Sequence, residues 1–141
     1  MKIIVICTGN SCRSQMAEAF LREYIKDGDI YSAGIEAHGI NPYMSQVMSE
    51  MGYDLKNHQS NTIDKYLNES FDIVITVCDH AHETCPVFKF VTKHIHHNFF
   101  DPANAVGTNE EKLDVYRKVR NEIEAFIKEF SSDVNAIISE N

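Results

Sequence analysis

A cysteine and an arginine stand six positions apart in Cys7-Thr8-Gly9-Asn10-Ser11-Cys12-Arg13-Ser14. A loop of this kind, entered from a β-branched run and left into a helix, turns backbone N–H groups inward and makes a nest for an anion. Gly9 and Asn10 tolerate the left-handed backbone that such a turn needs. The planar fork of Arg13 can hold two oxyanion oxygens at once. The same N–H dipoles and guanidinium favour a thiolate, which makes Cys7 a candidate nucleophile, and Ser14 can add a hydroxyl hydrogen bond to its sulfur. Thr8, Gly9, Asn10, Ser11, Cys12, Arg13 and Ser14 are the candidate anion-binding set. Cys12 has no separate chemistry and reads as a small packed residue.

Two further segments could act on whatever that loop binds. Thr76-Val77-Cys78-Asp79-His80-Ala81-His82-Glu83-Thr84-Cys85-Pro86 follows a second β-branched run. Strand ends of a parallel sheet lie along one edge, so Cys78 can come near the Cys7 loop and three thiols could converge. The intervening residues would have to rearrange before Cys78 and Cys85 reached the Cα separation of about 4.4–6.8 Å that a disulfide needs. The competing chemistry is zinc, because Cys78, His80, His82 and Cys85, with His94, His96 and His97 close in sequence, are acceptable ligand types. Their spacing lacks the paired two-residue intervals of common zinc sites. The histidines otherwise read as surface or edge-strand residues. The third segment is Phe99-Phe100-Asp101-Pro102. An aspartate desolvated beside two phenylalanines would keep a proton for a leaving group, so Asp101 is a candidate general acid; alone, Asp-Pro is an ordinary turn.

These residues need a scaffold that brings them together. Lys2 to Cys7 and Asp72 to Cys78 read as central strands, with weaker strands at Ile30 to Ala33 and His94 to Asn98. Ala17, Phe20, Leu21, Tyr24 and Ile25 recur at helical spacing, with Glu18, Arg22, Glu23 and Lys26 on the other face, and the helix ends near Gly28. Asn41 and Pro42 read as the cap and first residue of a second helix that stops at Gly52. Thr108 and Glu111 form a capping box ahead of a long helix through Phe130, leaving 131–141 as a tail. Strands alternating with helices imply an α/β fold, a mostly parallel sheet wrapped by helices. At 141 residues and 43% hydrophobic, with no repeat or linker, residues 1–141 form one domain. A net charge of −8 disfavours nucleic acid and anionic membrane. The lack of a long apolar run or signal-peptide pattern predicts a soluble, cytoplasmic protein, where four cysteines are poor structural staples.

From about Lys2 to Phe130 the chain resembles the thioredoxin-coupled arsenate reductases, a family built on the low-molecular-weight tyrosine phosphatase fold. The resemblance rests on the loop continued as Gln15-Met16-Ala17-Glu18, on Ser32-Ala33-Gly34, on the Cys78/Cys85 pair and on Asp101-Pro102-Ala103. It implies a three-layer α/β/α, phosphotyrosine phosphatase I-like fold with a four-stranded parallel sheet. It also implies Cys7 as nucleophile, Arg13 as oxyanion clamp, Asp101 as acid, Cys78 and Cys85 as an electron relay, and thioredoxin as the reducing partner. Some members hold potassium near the loop, and the matching positions include Asn10, Glu18 and Ser32; where those members carry aspartate this chain has Asn61, so weak or absent potassium binding is expected.

The chemistry closes without an organic cofactor. Reducing arsenate to arsenite takes two electrons, which two thiols supply on becoming a disulfide. A low-molecular-weight protein tyrosine phosphatase is the alternative. It would use the loop and Asp101 but leave Cys78 and Cys85 idle, and the phosphatase pattern would put proline at Gln15 and aromatic residues at Ala103 and Asn104. A zinc-binding module is a more distant alternative.

Overall fold

The computed structural model describes residues 1–84 and 90–140. Four strands, β1 (Lys2–Cys7), β2 (Asp29–Gly34), β3 (Ser70–Thr76) and β4 (Phe90–His96), form one parallel sheet in the order β2-β1-β3-β4. Ile3, Ile4, Val5 and Ile6 of β1 are fully buried. This fits a β-branched run covered on both faces, whose burial stabilises by roughly 1.5–3 kcal/mol per large side chain. β3 begins and ends two residues before the expected Asp72 to Cys78, because Ser70 and Phe71 already pair with Phe90 and Val91. Beyond it, Val77 N–H still bonds Ile6 O at 3.0 Å, so Cys78 is carried off the sheet edge.

The helices are α1 (Arg13–Tyr24), α2 (Pro42–Ser49), α3 (Asp79–Thr84) and α4 (Asn109–Glu140). Two of them start as their caps require. Asn41 Oδ1 accepts Met44 N–H at 3.1 Å, and Thr108 and Glu111 exchange two bonds at 3.2 Å each. The turn after α2 closes at Gly52, whose φ of +86° suits glycine. α4 does not stop at Phe130. It continues to Glu140 with Ser131 and Val134 buried, so the stretch expected to be a tail extends the helix.

Alternation along β4 separates the layers. His94 and His96 meet His82 of α3, while His97, the next residue, tilts against the Phe126 ring of α4, which packs against α1. Helices on both faces of the sheet make the α/β/α sandwich. Among the described residues no helix is long and apolar enough to cross a membrane.

Candidate active site

The loop between β1 and α1 is shaped by its carbonyls. Cys7, Thr8, Gly9, Asn10, Ser11 and Cys12 each have their C=O engaged by a donor: Ile35 N, Glu36 N, His38 N, Gln15 Nε2, Asn41 N and Met16 N, at 2.8–3.1 Å. In a planar trans peptide the N–H points opposite the C=O, so six outward carbonyls turn the loop's N–H groups to its concave side. Asn10 has the expected left-handed backbone, φ +47°. Gly9 does not; glycine is needed there because a Cβ would run into the His38 ring. Gly34 plays the same part from β2, where a Cβ would collide with Thr8 O, Asn10 N and Glu36 O.

A directional chain of hydrogen bonds ends on the nucleophile candidate. Asn10 Nδ2 donates to Ser14 Oγ at 2.8 Å and to Ser32 Oγ at 2.9 Å. With its lone pair engaged, Ser14 is free to donate its O–H to Cys7 Sγ, 2.8 Å away. Gln15 braces the arrangement, donating to Asn10 O and Gln59 O at 3.0 and 2.9 Å while its Oε1 meets His58 Nδ1 at 2.9 Å.

Arg13 is buried and spans from the loop to the β4–α4 connection. Its Nη1 donates to Phe99 O at 3.0 Å, and its Nη2 lies 3.5 Å from Asp101 Oδ2. Asp101 caps the turn Pro102–Asn104, accepting Ala103 N–H at 3.0 Å. The expected pocket of phenylalanines is absent. Phe99 is turned into the core against His97 and Phe126, Phe100 is 55% exposed, and the Asp101 side chain is 34% exposed. Arg13, rather than apolar packing, is the neighbour that sets Asp101's surroundings.

Cys78 is brought to the loop. Its sulfur is buried, 3.3 Å from Thr8 Oγ1, and accepts Ala81 N–H at 3.4 Å. Cys12 is buried too, and burial first, then the nearby Cys7 and Asp101, push its thiol well above the usual range despite Arg13. That suits a packing residue. Cys85 lies outside the described residues. Among the described residues no group of three or more His, Cys, Asp or Glu is arranged to hold a metal ion.

Glu18 departs from its expected place on the exposed face of α1. It is 7% exposed, with Oε1 accepting Ser32 Oγ at 2.5 Å, Oε2 accepting Arg22 Nε at 3.0 Å, and His58 Nδ1 3.5 Å away. Asn10 Oδ1 already accepts Asn61 N–H at 2.8 Å. The oxygens that would face potassium are engaged and Arg22 already supplies a positive charge, so the site fits that cation poorly. Potassium is therefore expected to leave affinity for the anion and melting temperature unchanged relative to a bulky organic cation at matched ionic strength; a large potassium-specific gain in either would overturn this. Gln15, His58 and Arg22 were not legible as site residues, since their roles depend on contacts across the fold. The one local signal was glutamine where the phosphatase pattern has proline.

Comparison with known proteins gives concordant results. The family model for low molecular weight phosphotyrosine protein phosphatase matches residues 2–139. An arsenate reductase of Halalkalibacterium halodurans is 49% identical over 130 residues, and one of Bacillus subtilis 46%, each spanning 92% of this chain and 94% of the relative. Among solved structures, an arsenate reductase in its phosphate-binding state superposes with TM-score 0.79 at 26% identity, over 94% of this chain and 97% of that one. The arginine phosphatase YwlE superposes at TM-score 0.77 and 24% identity, covering 96% of both chains, a likeness of fold alone.

Proposed function

The chain belongs to the low molecular weight phosphotyrosine protein phosphatase family, and within it we propose that it is an arsenate reductase recharged by thioredoxin. The observation that carries this reading is the Cys78 sulfur, 3.3 Å from the hydroxyl of Thr8 in the loop that begins with Cys7. A phosphatase releases its cysteinyl intermediate with water and has no use for a second thiol there. The relatives that are 42–49% identical and named arsenate reductase support the same choice.

In this mechanism the loop N–H groups and Arg13 bind the arsenate oxygens. The Cys7 thiolate attacks arsenic, and the departing oxygen leaves as water with the proton of Asp101. The Cys78 thiolate then attacks Cys7 Sγ, and the S–As electron pair passes to arsenic. Arsenite leaves and a Cys7–Cys78 disulfide remains. Cys85 attacks Cys78, freeing the Cys7 thiolate and moving the disulfide to Cys78–Cys85, where a thioredoxin dithiol reduces it. A thioredoxin-coupled assay tests the reading: arsenate-dependent reductant consumption is expected, and phosphotyrosine hydrolysis without arsenate turnover would overturn it.

The role of Asp101 has its own test. Asp101→Asn should slow adduct formation by about 10²–10⁴-fold, the usual range for a lost general acid. Arsenate affinity should change little, because the Phe99 carbonyl still holds Arg13. Single-turnover kinetics checks both, and a loss confined to affinity would make Asp101 a positioner of Arg13 instead.

A further inference from the structure

Three imidazoles converge on one hydroxyl where α3 meets the edge strand. Thr76 Oγ1 lies 3.4 Å from His82 Nδ1, 3.4 Å from His94 Nε2 and 2.8 Å from His96 Nδ1. The other nitrogen of His96, Nε2, is 2.7 Å from Asp79 Oδ1. The His82 and His96 rings stack at 4.1 Å between centroids, and His82 meets His94 edge-on at 5.3 Å. His82 and Asp79 belong to α3, and His94 and His96 to β4, so this cluster ties one element to the other.

The bonding works best with all three rings neutral. Asp79 places a proton on His96 Nε2, so the neutral ring offers a lone pair at Nδ1 and receives the Thr76 O–H. The threonine oxygen then accepts from His82 Nδ1 and His94 Nε2. Protonating His96 turns its Nδ1 into a third donor against that oxygen. Protonating His82 or His94 as well brings like charges together across contacting rings, and Asp79, the one carboxylate paired with the cluster among the described residues, offsets only one of them.

We propose that His82, His94 and His96 are positioning residues for Cys78: as neutral imidazoles they hold α3 against β4 and Cys78 beside the anion loop, and on taking up protons they release the helix. The consequence for Cys78 chemistry rests on the arsenate reductase reading; the seating of α3 does not. Cys78 stands at the head of that helix, its carbonyl accepting His82 N–H at 3.1 Å and its sulfur accepting Ala81 N–H at 3.4 Å. Among the described residues, the groups facing the cluster are His82 and Asp79 from α3, His94 and His96 from β4, and the neutral Thr76 hydroxyl from β3. Burial, then the neighbouring His82 and His96, hold the His94 pKa below its ordinary value. For a histidine lowered in this way, the neutral form's contribution is complete above the ordinary pKa of about 6.5 and is lost as pH falls below it, since the unfolded chain binds the proton more readily.

Amide exchange in the reduced, full-length protein, corrected for intrinsic rates, tests this at about pH 8 and about pH 5. The Ala81 and His82 amides are expected to lose protection by about tenfold or more in acid, while Phe20 in α1 keeps its own. The double variant His82→Gln/His94→Gln retains neutral donors and should hold the α3 amides within about twofold across the same range. Wild-type α3 protection that is flat with pH, or a double variant that loosens as much as the wild type, would overturn the proposal. Ring-proton NMR of the wild type provides a second measurement that needs no variant: the through-space contact between the stacked His82 and His96 rings is expected at about pH 8 and lost at about pH 5, and a contact that persists unchanged would contradict the proposal. Neither readout involves arsenate, so a protein that fails to reduce arsenate could still pass, and flat exchange in an active reductase would remove this device alone.

Discussion

Cys7→Ser is expected to remove arsenate turnover and any phosphate-ester hydrolysis together, by at least about 10⁴-fold. The loop is built to receive an anion and to support a sulfur anion at its start. Six outward carbonyls turn its N–H groups inward, and the Asn10–Ser14 hydrogen bond directs a hydroxyl at Cys7 Sγ. A serine oxygen in that position keeps the hydrogen bond but has no comparable population of its anion at neutral pH. The variant should fold, since serine is smaller and Ser14 can still pair with it. Steady-state assays with both substrates provide the check, and arsenate turnover near the wild-type rate would mean that another group attacks arsenic.

The parts of this site that could be read from the sequence are those in which a few consecutive residues determine the structure. β1 has the expected bounds, Lys2–Cys7, because an uninterrupted β-branched run has few other ways to bury itself. The starts of α2 and α4 follow from local capping bonds. What could not be read depends on distant partners. Helical periodicity assigned Glu18 to the solvent face, but Ser32, Arg22 and His58 compensate its burial from β2, from one turn along α1 and from the loop after α2. The two phenylalanines before Asp101 suggested a dry pocket, yet Phe99 packs into the core and Phe100 faces outward, so adjacency in sequence misjudged the aspartate's surroundings. β4 begins four residues before the expected His94, because its pairing with β3 defines it more than its polar composition does. The histidine cluster was equally hidden: His82 and His96 are fourteen positions apart in sequence and meet only through the seating of α3 on β4.

Cys85→Ser is expected to separate the first turnover from all later ones. Cys7 and Cys78 together supply two electrons, so the variant should release about one equivalent of arsenite and then stop with a Cys7–Cys78 disulfide. That bond would sit in the buried surroundings of both sulfurs, where a reductant has poor access. Multiple-turnover assays with thioredoxin should show a loss of at least about 10²-fold, because the disulfide can no longer move to Cys78–Cys85. Cys78→Ser should stop earlier, at the thiol–arsenate adduct, before arsenite forms. Sustained thioredoxin-driven turnover by Cys85→Ser would mean that the first disulfide is reduced directly.

Rapid-quench analysis of the fully reduced wild-type protein, mixed with excess arsenate and no external reductant, shows whether the electrons come from the chain's own thiols. About one arsenite per protein is expected, with peptide mapping placing a disulfide at Cys78–Cys85 and leaving Cys7 free. Arsenate left unreduced with all thiols intact, or arsenite formed while Cys78 stays reduced, would contradict it.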